Sequence, residues 1–197
     1  LNDYLSSIAT ADSSELETQN QNVAFWTNVY NAYTLKLIAD HFPIDSIMDI
    51  KVKGHSSPWD VPFATVANKN YTLNQIENEV IRPNWPDPRI HYALVCAANS
   101  CPQLRSEAYV AEDLDKQLDE QGRWFLSHRN SFDRKARTAT LSKVYEWYSV
   151  DFGNSPQDTL RMIAAHAEPS IRQELTQNSK AWKVSFLEWD WSLNVKK

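Results

Sequence analysis

The residues best suited to chemistry in this chain are Cys96 and Cys101, with His91 just ahead of them. A thiolate is the strongest neutral-pH nucleophile among side chains once a histidine or a helix N-terminus lowers its pKa. Cys101 precedes Pro102 and would sit well at the cap of a short helix, whereas Cys96 lies at the end of an apolar run. His91 is the histidine nearest to them in the sequence. A His91–Cys96 pairing needs a bend, because five residues place two side chains on opposite faces of a strand and about 140° apart around a helix. Glu77 is a second acid/base candidate, and with Arg82 five residues on it also reads as half of a structural ion pair. The other readings of the cysteine pair are a disulfide or two inert buried thiols.

These groups hang on the stretch from Arg89 to Pro102. Tyr92–Ala98 has the length and apolar character of a buried strand or of a helix hidden on all sides, and periodicity does not separate the two. Polar Asn99 and Ser100 end the run and Pro102 cannot continue a ladder, so the chain bends between the cysteines. Ahead of it, Val23, Trp26, Tyr30, Tyr33 and Leu37 recur at helical steps and predict a helix over 22–42, ended by Pro43. Asn28 and Asn31 share a face near that stripe, and buried amides there would brace or hold a neighbouring loop. Phe63–Val66 and Tyr71–Thr72 flank a hairpin tip, and Thr72 with Gln75 signs a capping box for a helix over 73–82.

Beyond Pro102, a helix is expected over 111–126, then a hairpin over 132–141 and a Ser142-capped helix reaching Asp151. Ser155–Pro156 starts a further helix, another follows from Pro169, and a last strand spans 184–189. Helices outnumber short strands, which gives an α+β class and one domain.

Composition excludes several functions. A charge of −5 and a pI near 5.5 argue against a nucleic-acid surface. No apolar run approaches the roughly 20 residues of a membrane span. Three scattered glycines rule out the G-x-G-x-x-G and Walker loops. Two cysteines and five scattered histidines fit no zinc pattern, so no metal and no cofactor is assigned. The eight tryptophans read as core filling rather than as a ring-stacking cleft.

Ordered blocks then carry a resemblance: Ala24-Phe25-Trp26-x-Asn28-x-Tyr30-Asn31-Ala32, Leu73-x-x-Ile76-Glu77-x-x-x-Ile81-Arg82, and Arg89-x-His91-x-Ala93-Leu94-x-Cys96-x-x-x-Ser100-Cys101-Pro102. Trp147-Tyr148-x-x-Asp151-Phe152-Gly153 and Asp190-Trp191-Ser192-Leu193-Asn194 complete them. The chain resembles the bacterial and plant family catalogued as domain of unknown function 547. Ala97 stands where that family often has glycine. In plant members Cys101 can be serine and His91 need not be histidine, so the resemblance makes neither a disulfide nor a Cys–His dyad obligatory. It implies a stretch ahead of the first helix, removed here, and a periplasmic or secreted address.

The resulting expectation is a cleft where the cysteine bend meets the Asn28/Asn31 and Glu77 helices. Cys96, Cys101, His91 and Glu77 would be catalytic there, with Asn28, Asn31, Tyr30, Arg82 and Ser100 on the substrate side. The activity expected is thiol-dependent hydrolysis or acyl transfer on an amide or peptide-like substrate, by analogy on a papain- or transglutaminase-like scaffold. The alternative is a non-catalytic module that binds a thiol compound such as glutathione or a peptide, or an interaction domain with a disulfide.

Overall fold

The computed structural model describes residues 1–195. Its contacts divide into two compact units. The first comprises residues 1–86, 93–114 and the C-terminal segment from Trp191; the second comprises Asp87–Tyr92 and Asp115–Asp190.

Unit 1 is built on helices α1 (Asn2–Ala9) and α2 (Gln19–His41). Helix α2 starts three residues earlier than its apolar stripe predicts. Thr18 and Gln21 form a reciprocal capping box there, which satisfies end amides that would otherwise lack partners. Strands β1 (Ala64–Val66) and β2 (Lys69–Tyr71) pair antiparallel around Ala67 and Asn68. Both turn residues have positive φ, the backbone that matches the twist of a two-residue hairpin. The Thr72–Gln75 capping box forms as expected and opens α3 (Leu73–Gln75). That helix then widens into a π-helical turn, Ile76–Ile81, and continues as α4 (Arg82–Asn84).

Unit 2 opens with a 3-10 turn, Pro88–Tyr92, and continues through α5 (Leu114–Arg129), β3 (Ser131–Asp133), β4 (Thr138–Leu141) and α6 (Val144–Trp147). Helix α7 (Pro156–Ile163) begins as the sequence indicates, with Ser155 Oγ accepting the Asp158 N–H at 3.1 Å. Helix α8 (Pro169–Gln177) and strand β5 (Lys183–Phe186) follow. The β3–β4 hairpin is as predicted, but β5 pairs parallel with β4. Such pairing needs a long crossover, here the helices between them. The core of the unit gathers Tyr92, Phe125, Leu141, Tyr145, Phe152 and Leu160, none more than 2% exposed.

The fold class is α+β, as the sequence predicts. One expectation about local structure fails. The stretch 93–98 is neither strand nor helix but irregular chain. Most of its apolar side chains are buried, yet its backbone pairs with the Asn31 side chain of α2 and with the C-terminal segment, so apolar length alone misreads it. Among the described residues, no helix is long and apolar enough to cross a membrane.

Candidate functional site

Asn31 lies on the buried face of α2 and brackets the chain that leads to the cysteines. Its amide nitrogen donates to the Ala93 carbonyl at 2.9 Å, and its Oδ1 accepts the Val95 N–H at 3.0 Å. Asn28, one turn earlier, treats Tyr109 the same way: the side chain donates to the carbonyl at 2.8 Å and accepts the N–H at 2.9 Å. Each amide thus acts as a strand neighbour to a single residue or two of irregular chain. A buried backbone group left unpaired costs about 1–3 kcal/mol, so these brackets hold both loops in place. The loop-holding role expected of the two asparagines is what the geometry shows.

The bend itself is closed from the other side by the C-terminal segment. Asn99 N–H donates to the Ser192 carbonyl at 2.7 Å, Asn194 N–H to the Ala97 carbonyl at 2.8 Å, and Ala98 bridges Leu193 antiparallel. Leu193 N–H also reaches the Asp45 carbonyl at 2.7 Å, and Ser46 bridges Ser192. Ala97 has φ of +62°, a left-handed conformation that glycine adopts without the Cβ penalty. This accounts for the glycine that the resembling family often carries there.

Cys96 and Cys101 are bonded to each other as a disulfide. The sequence left the pair open between disulfide and thiols. In the disulfide neither sulfur is a nucleophile, so the free-thiol state expected of Cys96 or Cys101 is not the state seen. The two cysteines are unequal. Cys96 is half-buried and Cys101 is 2% exposed. The Cys96 N–H donates to Cys101 Sγ at 3.1 Å. An apolar pocket of about 170 Å³ lies alongside, between Leu35 and Ile38 of α2, the flanking residues Val95, Ala97 and Pro102, and Leu193. Drug-sized ligands occupy roughly 300–1,000 Å³, so this pocket seats one apolar side chain rather than a whole small molecule.

The other expected residues of unit 1 are placed as follows. Glu77 is buried at 6% exposure inside the π-helical turn, and Arg82 donates to Asn78 Oδ1 at 2.7 Å. Tyr30 is buried on α2 and Ser100 is half-buried in the bend.

His91 belongs to unit 2, where a carboxylate and an aromatic ring hold its side chain. Its Nε2 is 2.7 Å from Asp151 Oδ2, the side chain is 2% exposed, and the ring stacks on Tyr148 with centroids 4.0 Å apart. The Nε2 is therefore already engaged by a carboxylate. Asp151 stands in the Trp147–Gly153 block, and no periodicity links it to a partner 60 residues away. Also absent from the sequence expectation is a charged cluster. Arg89 donates to Asp87, to Asp115 at 2.7 Å and to Asp119 at 2.9 Å, and Asp119 lies 3.3 Å from His166 Nε2. These contacts, the Asp87 hydrogen bonds foremost, hold the Arg89 guanidinium in its charged form. Asp115 and Asp119, four apart on one face of α5, were the legible half of that cluster.

Among the described residues, no group of three or more His, Cys, Asp and Glu side chains could hold a metal ion. The family described as a protein of unknown function, DUF547, matches residues 13–126, more than half of the chain. No curated protein and no solved structure matches it.

Proposed function

The chain belongs to the DUF547 family, and from the geometry of its cysteine bend we propose that it is a thiol–disulfide exchange module. Its partner is a small thiol or a cysteine-bearing peptide. The observation that carries this reading is the inequality of the two sulfurs: Cys96 is half-open, Cys101 is buried, and Cys101 Sγ receives the Cys96 N–H.

Exchange requires an attacking thiolate, access to one sulfur and a stable leaving thiolate. An external thiolate attacks Cys96 Sγ and forms a mixed disulfide. The S–S bond breaks, and its electron pair stays on Cys101, where the N–H stabilises negative charge. Either Cys101 attacks back and expels the incoming thiol, or a second external thiol releases Cys96 and leaves as the oxidised dimer. The neighbouring apolar pocket seats a side chain next to the incoming cysteine of a peptide.

A second reading keeps thiol-dependent hydrolysis or acyl transfer on an amide, with reduction of the pair as its first step. It rests on the same half-buried Cys96, whose thiol reduction would release. Titration of the protein in glutathione buffers, followed by alkylation and mass measurement, tests the main reading. Half-reduction is expected within the range that glutathione mixtures span. A pair that stays oxidised throughout, as structural disulfides below about −300 mV do, would overturn it. Turnover of a fluorogenic peptide amide by the reduced protein, lost in Cys96→Ser, would favour the second reading.

A further inference from the structure

Unit 2 contains a cavity of about 690 Å³, within the size range of small-molecule sites. It is walled by the last turns of α5, the start of β3 and the first turn of α8. Most of its polar side chains are already committed. Arg134 pairs with Glu174. Ser127 donates its hydroxyl to carbonyls of α5. Asn130 bonds the Phe125 carbonyl and the Ser142 N–H.

Four groups of the wall keep capacity. The Arg123 guanidinium makes no hydrogen bond or ion pair with the described residues. Arg172 uses Nη2 to reach the Ala167 carbonyl at 3.1 Å, which fixes it at the α8 N-terminus and leaves its other donors. At that terminus the Glu168 side chain makes no capping bond, its carbonyl takes the Ile171 and Arg172 N–H groups, and Pro169 has no N–H. The Ser170 N–H and hydroxyl are left over. His166 is the fourth: its side chain is 10% exposed, Nε2 faces Asp119, and buried Nδ1 has no partner among the described groups. Glu168 is the carboxylate of this wall, so the positive charges of Arg123 and of Arg172, which no carboxylate of the wall pairs, outweigh it on a chain of net charge −5.

We propose that this cavity binds a small phosphorylated molecule, with its phosphoryl group held by Arg123, Arg172 and the Ser170 N–H and hydroxyl at the start of α8. A carboxylate is served by one bidentate guanidinium. Donors arriving from α5, from α8 and from a helix N-terminus suit instead the several oxygens and double charge of a phosphoryl group. His166 Nδ1 supplies an acceptor toward a hydroxyl of the ligand.

The test is a titration of the isotope-labelled full chain with inorganic phosphate, read by amide chemical shifts. Saturable shifts centred on His166 and Ser170 are expected. Binding should be at least tenfold weaker in Arg123→Gln and in Arg172→Gln, and unchanged in the unit 1 control Lys53→Gln. Ser170→Glu places a carboxylate where the helix N-terminus favours it, so the fold is kept and phosphate binding is lost; it carries the test should an arginine variant fail to fold. Unsaturable shifts, equal affinity across the variants, or acetate binding as tightly as phosphate would overturn the proposal.

Discussion

The two units solve the problem of buried polar groups in opposite ways. In unit 1, amide side chains of one long helix complete the backbone of irregular loops that lie beside an aliphatic core including Val29, Ile47, Leu73, Ile76 and Ile81. In unit 2, aromatic rings close-pack and the polar groups pair among themselves, His91 with Asp151 and Arg89 with three carboxylates. A loop held by a few directional bonds and one disulfide can open locally, whereas a packed ring cluster yields only as a whole. That contrast favours placing sulfur chemistry in unit 1 and ligand capture in a preformed cavity in unit 2.

The largest effect expected is on packing. Phe152 is fully buried against His91, Tyr92 and Tyr145. Phe152→Ala should cost about 3–5 kcal/mol in denaturant unfolding. A loss below about 1 kcal/mol would break the distinction between the units. Next comes the bracket. Asn31→Ala strands the Ala93 carbonyl and the Val95 N–H and should cost about 1–3 kcal/mol for each of the two that stays unpaired. It should also speed hydrogen exchange at Val95 and reduction of the disulfide, which a uniform loss of stability would not do selectively.

Ala97→Gly is a smaller and opposite change. Relief of the left-handed penalty, about 1–2 kcal/mol, exceeds the extra backbone entropy of glycine, about 0.5–1. A gain of up to about 1 kcal/mol is expected in thermal unfolding, and a loss would show that Cβ packing at the bend matters more.

The smallest effect concerns pH in unit 2. Burial first of all holds His166 below the usual histidine range, with Arg89 and Arg123 acting the same way and Asp119 opposing. Its neutral form is therefore the folded form. As pH falls from 7 through about 6.5 toward that lowered value, the unfolded chain binds more protons and stability declines. His166→Gln should flatten that slope between pH 7 and 5. Asp119 acts in a separate, more acidic window: burial raises its pKa, but the Arg89 and His166 hydrogen bonds win and lower it. An unchanged slope in His166→Gln would remove His166 from the account.

Local chemistry was legible in the sequence and distant pairing was not. The capping boxes and the Ser155–Pro156 start are complete within four residues, so types and spacing suffice. Asn28 and Asn31 could be read as loop holders because a polar pair beside a buried stripe must find partners. The segment 93–98 misled because its pairing comes from Asn31 of α2 and from the C-terminal segment, each more than 60 residues away in sequence. The parallel β4–β5 pairing and the His91–Asp151 contact fail to show for the same reason. The cysteine spacing likewise allowed either a disulfide or free thiols.

The central assertion is that the bend opens from one side only. Treating the oxidised protein with glutathione, quenching with iodoacetamide and mapping the peptides tests it directly. The account requires glutathione on Cys96 and carbamidomethyl on Cys101. The reverse labelling, or an even mixture of the two, would contradict it.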